Sequence, residues 1–278
     1  MASVVFRATA IKSFKQILRN RLDTSSSRDG QIIHRFAVKI SIVIPAFNEE
    51  KLLAETLHRV QQSSQAFADR GWKVELIVCD NNSTDSTASI ARDHGARVVF
   101  EACNQISRAR NCGAAAASGD WLVFIDADSR PTPELFADVG AVITAGKSVA
   151  GGVTVRFDHA ALAGRLVMKF WNGISRTLKW CAGSFIFVEA NAFRSLGGFS
   201  EELFASEEID FSQRAKKLGR ALGRSVVILH RHPLETSARK LKLYSTRQHF
   251  RIFWKATFRM RQTLTNREDC HIWYDGKR

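Results

Sequence analysis

The sequence predicts an α/β fold in which a mostly parallel, twisted sheet carries helices on both faces. Short runs of apolar, β-branched residues alternate along the chain with stretches in which apolar residues recur at helical spacing. Such βαβ alternation is typical of a parallel sheet. The chain has 278 residues, of which 45% are hydrophobic, so it is long enough to bury one large core.

The first half of the chain contains four predicted strand–helix units. The predicted strands are Ile40–Ile44, Val74–Cys79, Arg97–Phe100 and Trp121–Ile125. The first predicted helix contains Leu52, Leu53, Leu57 and Val60. The next three run from Thr84 to Gly95, from Ser107 to Ser118 and from Pro133 to Gly146. Proline is favoured in the first turn of a helix and glycine just after its last turn, so the fourth helix is delimited at both ends.

The second half of the chain is less regular. Strands are expected at Ser148–Phe157, Ser184–Glu189 and Ser225–Leu229, and a helix is expected at Glu208–Leu218, ended by Gly219. Residues 24–30 are rich in Ser and Thr and are interpreted as a linker. We therefore expect a basic extension at 1–39, a folded domain at 40–235 and a basic, aromatic tail at 236–278.

The formal charge of +14 is distributed unevenly. Residues 1–39 carry +6, residues 40–213 carry −5 and residues 214–278 carry +13. A nucleic-acid-binding protein is expected to have a basic body. This pattern instead favours an acidic catalytic core whose basic ends attach it to a surface.

No apolar run reaches the roughly 18 residues of a membrane-spanning helix. The stretch Met1–Leu22 is basic and has no long apolar segment, which disfavours a secretory signal and fits either a transit peptide or an amphipathic helix. The five cysteines are odd in number and form no CxxC pair. This favours reduced thiols in the cytoplasm over a disulfide framework or a zinc cluster.

Polar residues follow three of the predicted strands, at 45–49, 80–85 and 126–128. Ligands bind at the carboxyl ends of strands in open α/β sheets, so these three ends are expected to share one cleft. If the last segment is extended, Asp126 and Asp128 point the same way and form a hard-oxygen site for Mg²⁺ or Mn²⁺. The alternative is a polar turn without a ligand.

Seven segments of the chain, in order, resemble family 2 glycosyltransferases of the GT-A fold. They are Ser41–Glu50, Asp80–Thr87, Ala109–Gly113, Gly119–Asp128, Gly183, Gly197–Phe199 and Glu207–Phe211. The resemblance covers roughly residues 40–235. It implies a nucleotide-sugar half at 40–128, an acceptor half at 129–235, and metal-dependent, inverting transfer of a sugar from a nucleotide-diphospho-sugar donor to an acceptor hydroxyl.

The resemblance also implies which residues bind the donor. Pro45, Phe47 and Glu49 are expected beside its base and ribose. Asp126 is expected to serve both the donor and the metal ion, and Arg110 to lie near the diphosphate or near the carboxylates that hold the donor. The alternatives are a core aromatic for Phe47 and a favourable helix start for Glu49.

Asn81 stands where the family commonly has aspartate. An amide can accept a hydrogen bond from a pyrimidine N3–H and donate one to the neighbouring carbonyl. This favours UDP or dTDP over GDP in the donor. The alternative is an asparagine suited to the turn.

The resemblance implies that Glu208 is the catalytic base, with Glu207 and Asp210 as alternates. A carboxylate can take the proton from the acceptor hydroxyl, while Mn²⁺ or Mg²⁺ stabilises the leaving diphosphate. The alternative is that these residues form only the acidic start of a helix, where carboxylates are favourable.

His230 and His232 follow the last predicted strand, in a region where a histidine often completes the metal site of the family. Strand alternation puts both on one face, and we prefer His232; the alternative is a pair of surface histidines. The family's processive synthases carry a QxxRW motif, which this chain lacks. A non-processive enzyme is therefore expected.

The segment Leu241–Leu264 alternates Lys and Arg with aromatic residues. It predicts peripheral attachment to the anionic cytoplasmic face of a membrane, which would suit a lipid-linked acceptor. The alternatives are packing of the aromatics on the core and binding of nucleic acid, and the acidic core disfavours the second.

Two other functions fit parts of the sequence. A sugar-nucleotide nucleotidyltransferase has a related sheet, but usually has a basic, Gly-rich loop after the first strand, and this loop is missing from Ile44–Asn48. A non-catalytic protein that binds membranes or nucleic acid would have no need of Asp126, Asp128 and Glu208.

Overall fold

The computed structural model describes residues 38–158 and 162–237. The extension up to residue 37 and the segment Leu241–Leu264 lie outside these residues. The domain boundaries and the membrane attachment predicted for them therefore remain predictions.

The described residues form eight strands and seven helices. The strands are β1 (Lys39–Ala46), β2 (Lys73–Asp80), β3 (Arg97–Phe100), β4 (Trp121–Ile125), β5 (Ser129–Arg130), β6 (Ser148–Phe157), β7 (Phe185–Glu189) and β8 (Ser225–Thr236). The helices are α1 (Leu53–Ala68), α2 (Thr87–Asp93), α3 (Ile106–Ala116), α4 (Pro133–Ala145), α5 (Leu162–Leu178), α6 (Ala190–Leu196) and α7 (Glu207–Ala221).

All eight strands belong to one sheet, in the order β3-β2-β1-β4-β7-β6-β8-β5. The pairs β1–β2, β1–β4, β2–β3 and β6–β8 are parallel, whereas β7 runs antiparallel to β4 and β6, and β5 antiparallel to β8. The predicted α/β class with a mostly parallel sheet is confirmed. Because β1, β2 and β4 are parallel, their carboxyl ends lie at the same edge of the sheet.

Helices cover both faces of the sheet, as predicted. On one face α1 and α4 pack against the strands, and Phe67 stacks on Phe136 with ring centroids 5.0 Å apart. On the other face α6 and α7 pack together, and Phe199 lies against Phe211 at 4.8 Å. The strands β1, β4, β6 and β7 are almost completely buried, which fixes the positions of the loops at their ends.

The structure differs from the predicted elements mainly in the second half. Strand β5 and helices α5 and α6 were not predicted, and β8 continues to Thr236 instead of ending at Leu229. Gly219 does not end α7, which runs on to Ala221; the positive φ of 67° falls at Gly223. A Cβ on Gly219 would lie 2.8 Å from the carbonyl oxygen of Arg224, so this glycine is needed for close packing.

No helix among the described residues is both long and apolar enough to cross a bilayer. The four cysteines in this part of the chain are free thiols, in agreement with the expectation of reduced cysteines.

Candidate active site

The loops after β1 (residues 47–52) and β2 (residues 81–86) are joined by hydrogen bonds into one surface, which we call the ledge. Asn48 N donates to Ser83 Oγ at 3.0 Å, Thr84 N donates to Asn48 Oδ1 at 2.8 Å, and Glu49 N donates to Thr87 Oγ1 at 2.8 Å. Asn48 has a positive φ of 53°, a conformation that asparagine adopts more readily than most residues. The polar residues after these two neighbouring strands therefore hold each other in place. They lie together, as was predicted from their position at the carboxyl ends of the strands.

Three predicted donor contacts lie on or beside this ledge. Pro45 is buried inside β1 opposite Cys79, Glu49 is only 6% exposed, and Phe47 keeps part of its side chain open to solvent. Of these three, Phe47 offers the most surface to a ligand. Their contact with the donor remains a prediction.

The predicted role of Asn81 in reading the base is not supported by its hydrogen bonds. Both N–H groups of its amide are used, because Nδ2 donates to the carbonyl oxygens of Glu101 and Cys103 at 3.1 and 2.6 Å. Its Oδ1 accepts from Gln105 N at 2.9 Å. Asn81 therefore holds the loop between β3 and α3, and the preference for UDP or dTDP that was based on a free amide loses its basis.

Arg110 on α3 is the centre of the site. Its guanidinium is 2% exposed and lies 5.3 Å from the ring centroid of Phe199. Nη1 donates to Glu207 Oε1 at 2.5 Å, and Nη2 donates to Asp126 Oδ1 at 3.0 Å and to the carbonyl oxygen of Gly183 at 2.8 Å. One side chain thus joins the turn after β4, the turn before β7 and the start of α7. Arg110 was expected near the diphosphate or near the carboxylates that hold the donor. The structure shows it beside carboxylates.

The charge of Arg110 is secured by these partners. Burial alone would lower its pKa, but the negative charges of Asp126 and Glu207 raise the pKa above the ordinary value of arginine. A buried arginine with two carboxylate partners is stable only as an intact cluster, since removing one partner leaves an uncompensated charge.

The Asp126–Asp128 segment is a turn, so the condition of an extended segment, under which both carboxylates would point the same way, is not met. Ser129 N donates to the carbonyl oxygen of Asp126 at 3.1 Å, and Thr56 Oγ1 of α1 donates to that of Ala127 at 2.7 Å. Ala127 is buried while Asp126 and Asp128 are both partly exposed. The two carboxylates therefore still flank one buried residue at the carboxyl end of β4.

The donor set at this turn fits a hard divalent cation that takes only part of its ligands from the protein. The described residues contain no cluster of three or more His, Cys, Asp or Glu side chains that could hold a metal ion. Mg²⁺ typically uses one or two carboxylates and completes its octahedral shell with water and substrate phosphates. Asp126 and Asp128 can supply those two carboxylates.

The role of His230 and His232 as metal ligands remains a prediction. His232 Nδ1 lies 2.9 Å from Asp138 Oδ2 of α4, and His230 is exposed. The end of β8 that reaches the site is Thr236, whose Oγ1 lies 3.3 Å from Asp128 Oδ1.

The three candidate bases at the start of α7 have different surroundings. Glu207 is buried and paired with Arg110, and Asp210 forms an ion pair of 2.7 Å with Arg214. Glu208 is partly exposed and has no ion-pair partner within 4 Å among the described residues. Burial raises the pKa of Glu208 to about 8, and the negative charge of Glu207 adds to the shift.

The backbone around Glu208 explains how it reaches the cluster. Ser206, the residue before α7, has a positive φ of 62°, which is costly for serine and often occurs at functional sites. Gly183 lies directly against the cluster, because a Cβ built there would be 3.3 Å from Arg110 Nη2 and 3.6 Å from Glu208 Cδ. Because Gly183 has no side chain, it leaves room beside it for the side chains of both Arg110 and Glu208.

Sequence reasoning assigned no role to three residues on or next to α3 that support the site. Asn111 exchanges two hydrogen bonds of 2.9 Å with the backbone of Phe199, and Gln105 Nε2 donates to the carbonyl oxygens of Glu201 and Leu203. Arg108 adds an ion pair of 3.2 Å with Glu201. These contacts hold the segment that leads into α7. Asn111 belongs to Ala109–Gly113, one of the segments that resemble the family, and this was the available signal.

Comparison with known proteins agrees with this geometry. The model of glycosyl transferase family 2 matches residues 41–196. Glycosyltransferase AglE of Haloferax volcanii is 26% identical over 221 residues, which cover 73% of this chain and 69% of that protein.

Solved structures show the same fold. A mannosyltransferase from Pyrobaculum calidifontis, solved with GDP-mannose and Mn²⁺, aligns with a TM-score of 0.60 over 94% of this chain and 71% of its own, at 18% identity. Glucosyl-3-phosphoglycerate synthase from Mycobacterium tuberculosis, solved with Mn²⁺, UDP and phosphoglyceric acid, aligns with a TM-score of 0.53 over 78% of both chains, at 24% identity. The match to the family model extends over more than half of the sequence, and the chain therefore belongs to glycosyl transferase family 2.

Proposed function

We propose that this glycosyltransferase transfers a sugar from a nucleotide-diphospho-sugar donor to an acceptor hydroxyl in a metal-dependent, inverting and non-processive reaction. The observation that carries the proposal is the position of Glu208. It is a partly exposed carboxylate with a raised pKa, beside the Arg110–Asp126–Glu207 cluster at the carboxyl edge of the sheet. Related folds bind both GDP-mannose and UDP, so both classes of donor are candidates.

Each part of the site has a role in this reaction. Phe47 and the ledge after β1 and β2 bind the nucleoside, and Asp126 and Asp128 face the diphosphate. A bound Mn²⁺ or Mg²⁺ supplies the positive charge that stabilises the leaving diphosphate. Arg110 does not contact the phosphates; it orients Asp126 through Nη2 and fixes the start of α7 through Glu207.

Glu208 takes the proton from the acceptor hydroxyl as the hydroxyl attacks the anomeric carbon. Its raised pKa makes it a stronger base than an ordinary glutamate, which suits general base catalysis near neutral pH. Of the three carboxylates at the start of α7, the other two are held in ion pairs. A single available carboxylate suits one direct displacement, which inverts the configuration at the anomeric carbon.

The test replaces Glu208 with glutamine, which keeps the shape and removes the base. Glu208→Gln is expected to lower turnover on the order of 10²–10⁴-fold while nucleotide binding stays close to wild type. Asp210→Asn is the matched control, since it changes a carboxylate in the same turn of α7 that pairs with Arg214, and it should keep most of the activity. An equal loss of nucleotide affinity in Glu208→Gln would place Glu208 in the donor site instead. The anomeric configuration of the product, read by NMR, tests inversion.

A further inference from the structure

Helix α5 presents an apolar face that no other described residue covers. Of the large hydrophobic side chains that are exposed in the described part of the chain, four lie on this one helix: Leu166, Val167, Phe170 and Leu178. Phe170 is 72% exposed and Val167 is 66% exposed. Single exposed apolar residues are ordinary on a protein surface, but a cluster of them marks an interaction site.

The opposite side of α5 is fixed to the sheet, so the exposed face has a defined direction. The side chain of Asn172 bonds to both the N–H and the carbonyl oxygen of Val155 in β6, at 3.0 and 2.8 Å. Ser175 is buried, and its Oγ donates to the carbonyl oxygen of Trp180 at 2.6 Å. The second half of the helix is therefore attached to the protein, and its exposed apolar residues lie on the side away from these contacts.

The charges on α5 show which chemistry fits this face. Arg165, Lys169 and Arg176 are exposed, and they recur at spacings of four and seven residues, which places them along one edge of the apolar face. No Asp or Glu occurs between residues 162 and 179. A helix with an apolar face bordered by cations is the form that lies in an anionic membrane interface. A second copy of the same face would bring cations against cations.

The position of α5 relates this face to the active site. Asp158, shortly before α5, donates its N–H to the carbonyl oxygen of Thr236 at 3.1 Å, and Thr236 contacts Asp128. At its other end, α5 leads through Trp180 to Gly183, which touches Arg110 and Glu208. Both ends of α5 are thus connected to the site.

The residues that follow Ser237 lie outside the described part of the chain. They include eleven Lys or Arg and three Asp or Glu, so their charge has the same sign as that of α5. Charge complementarity therefore disfavours this tail as the partner of α5, and one anionic surface suits both.

We propose that α5 docks on an anionic lipid bilayer, with Leu166, Val167 and Phe170 in the boundary between headgroups and acyl chains and the flanking Lys and Arg at the lipid phosphates. The active-site edge of the sheet then lies close to the membrane surface. This arrangement suits an acceptor carried by the membrane; only this last step rests on the proposed function.

The experiment is co-sedimentation of the full chain with vesicles that contain phosphatidylglycerol, compared with vesicles of phosphatidylcholine alone. The triple variant Arg165→Gln, Lys169→Gln, Arg176→Gln is expected to weaken binding to the anionic vesicles on the order of a hundredfold at low salt. The double variant Val167→Ser, Phe170→Ser is expected to weaken it also at high salt, where charges are screened.

Matched controls change equivalent residues elsewhere. Arg92→Gln, Arg194→Gln, Lys217→Gln removes three exposed charges from other helices, and Phe100→Ser removes the exposed apolar side chain of β3. Both controls should bind vesicles like the wild type.

Three results would overturn the inference. The wild type could stay in the supernatant, the α5 variants could pellet like the wild type, or the double variant could instead convert a dimer into a monomer in light scattering, which would make this face a contact between copies. Hydrolysis of the nucleotide-sugar donor in solution separates this question from the proposed function. If that hydrolysis is absent while vesicle binding depends on α5, the proposed function fails and the docking surface stands.

Discussion

At the scale of the residue, Arg110 stabilises the site because it is buried and forms ion pairs with both Asp126 and Glu207. Replacing Arg110 with methionine keeps the length of the side chain but leaves Glu207 buried without its partner. Breaking a buried ion pair in this way costs about 3–5 kcal/mol. Chemical denaturation should show a loss of this size in the free energy of unfolding.

Arg108→Met is the control for this prediction. Arg108 lies on the same helix, and its ion pair with Glu201 is about 40% exposed on both sides, so its loss should cost no more than about 1 kcal/mol. Equal effects of the two substitutions would contradict the central role of Arg110.

The raised pKa of Glu208 predicts that the free energy of unfolding depends on pH. Its pKa is about 8 in the folded protein and ordinarily 4.5, so between these values the folded state holds a proton that the unfolded state has released. The stabilisation from this group is complete below pH 4.5 and is lost as the pH rises through about 8. Glu208→Gln lacks this dependence. The melting temperature of Glu208→Gln minus that of the wild type should therefore increase from pH 5 to pH 8.5, and a flat difference would contradict the raised pKa.

Individual site residues were predictable where a local motif specifies them. Asp126, Asp128, Arg110 and Glu208 were found because each belongs to a short pattern, and the structure brings all four to one edge of the sheet. The contacts of Asn81 and His232 could not be predicted in this way, because they involve distant parts of the chain. Asn81 has backbone partners 20 and 22 residues away, and His232 lies beside a helix residue 94 positions earlier.

At the scale of the element, the turn before β7 sets the distance between α3 and α7. A methyl group at Gly183 would approach Arg110 Nη2 to 3.3 Å and Glu208 Cδ to 3.6 Å, so Gly183→Ala should shift the base while the fold persists. Misplacement of a catalytic group by 1 Å can cost about a hundredfold, and we expect a loss of turnover up to that size.

Gly173→Ala is the matched control for this substitution. A Cβ at Gly173 meets no atom within 4 Å, and alanine is the better helix former by about 1 kcal/mol. Wild-type turnover in Gly183→Ala, measured with donor and metal at saturation, would show that the turn does not position the base.

The elements themselves were predicted best where the sequence period is clear. Strands β3, β4 and β6 have the predicted limits, and α4 lies between Thr132, whose Oγ1 caps it, and Gly146, whose φ is 65°. Helix α5 was not predicted although its sequence is amphipathic, and several of its apolar residues are exposed. Strand β5 has two residues and forms only because β8 pairs with it, a contact that no local pattern reveals.

At the scale of the whole molecule, the site is acidic although the chain has a net charge of +14. The carboxylates of Asp126, Glu207 and Glu208 lie around one buried arginine, and Asp128 belongs to the same turn as Asp126. A donor diphosphate brought to this edge would meet an excess of negative charge unless a cation came with it. This imbalance is the physical argument for metal dependence.

The imbalance predicts that nucleoside diphosphates bind tightly only with Mn²⁺ or Mg²⁺. Calorimetric titration of UDP and GDP should show weak binding in EDTA and tighter binding with Mn²⁺, and Asp128→Asn should reduce the gain. The loss of a direct ligand is expected to be at least the roughly 10- to 100-fold that outer partners of a metal site cost. His232→Ala should keep the full gain, because His232 contacts Asp138 instead of the metal turn. Tight binding of UDP or GDP in EDTA, or a loss of the Mn²⁺ effect in His232→Ala, would contradict this assignment of the metal site.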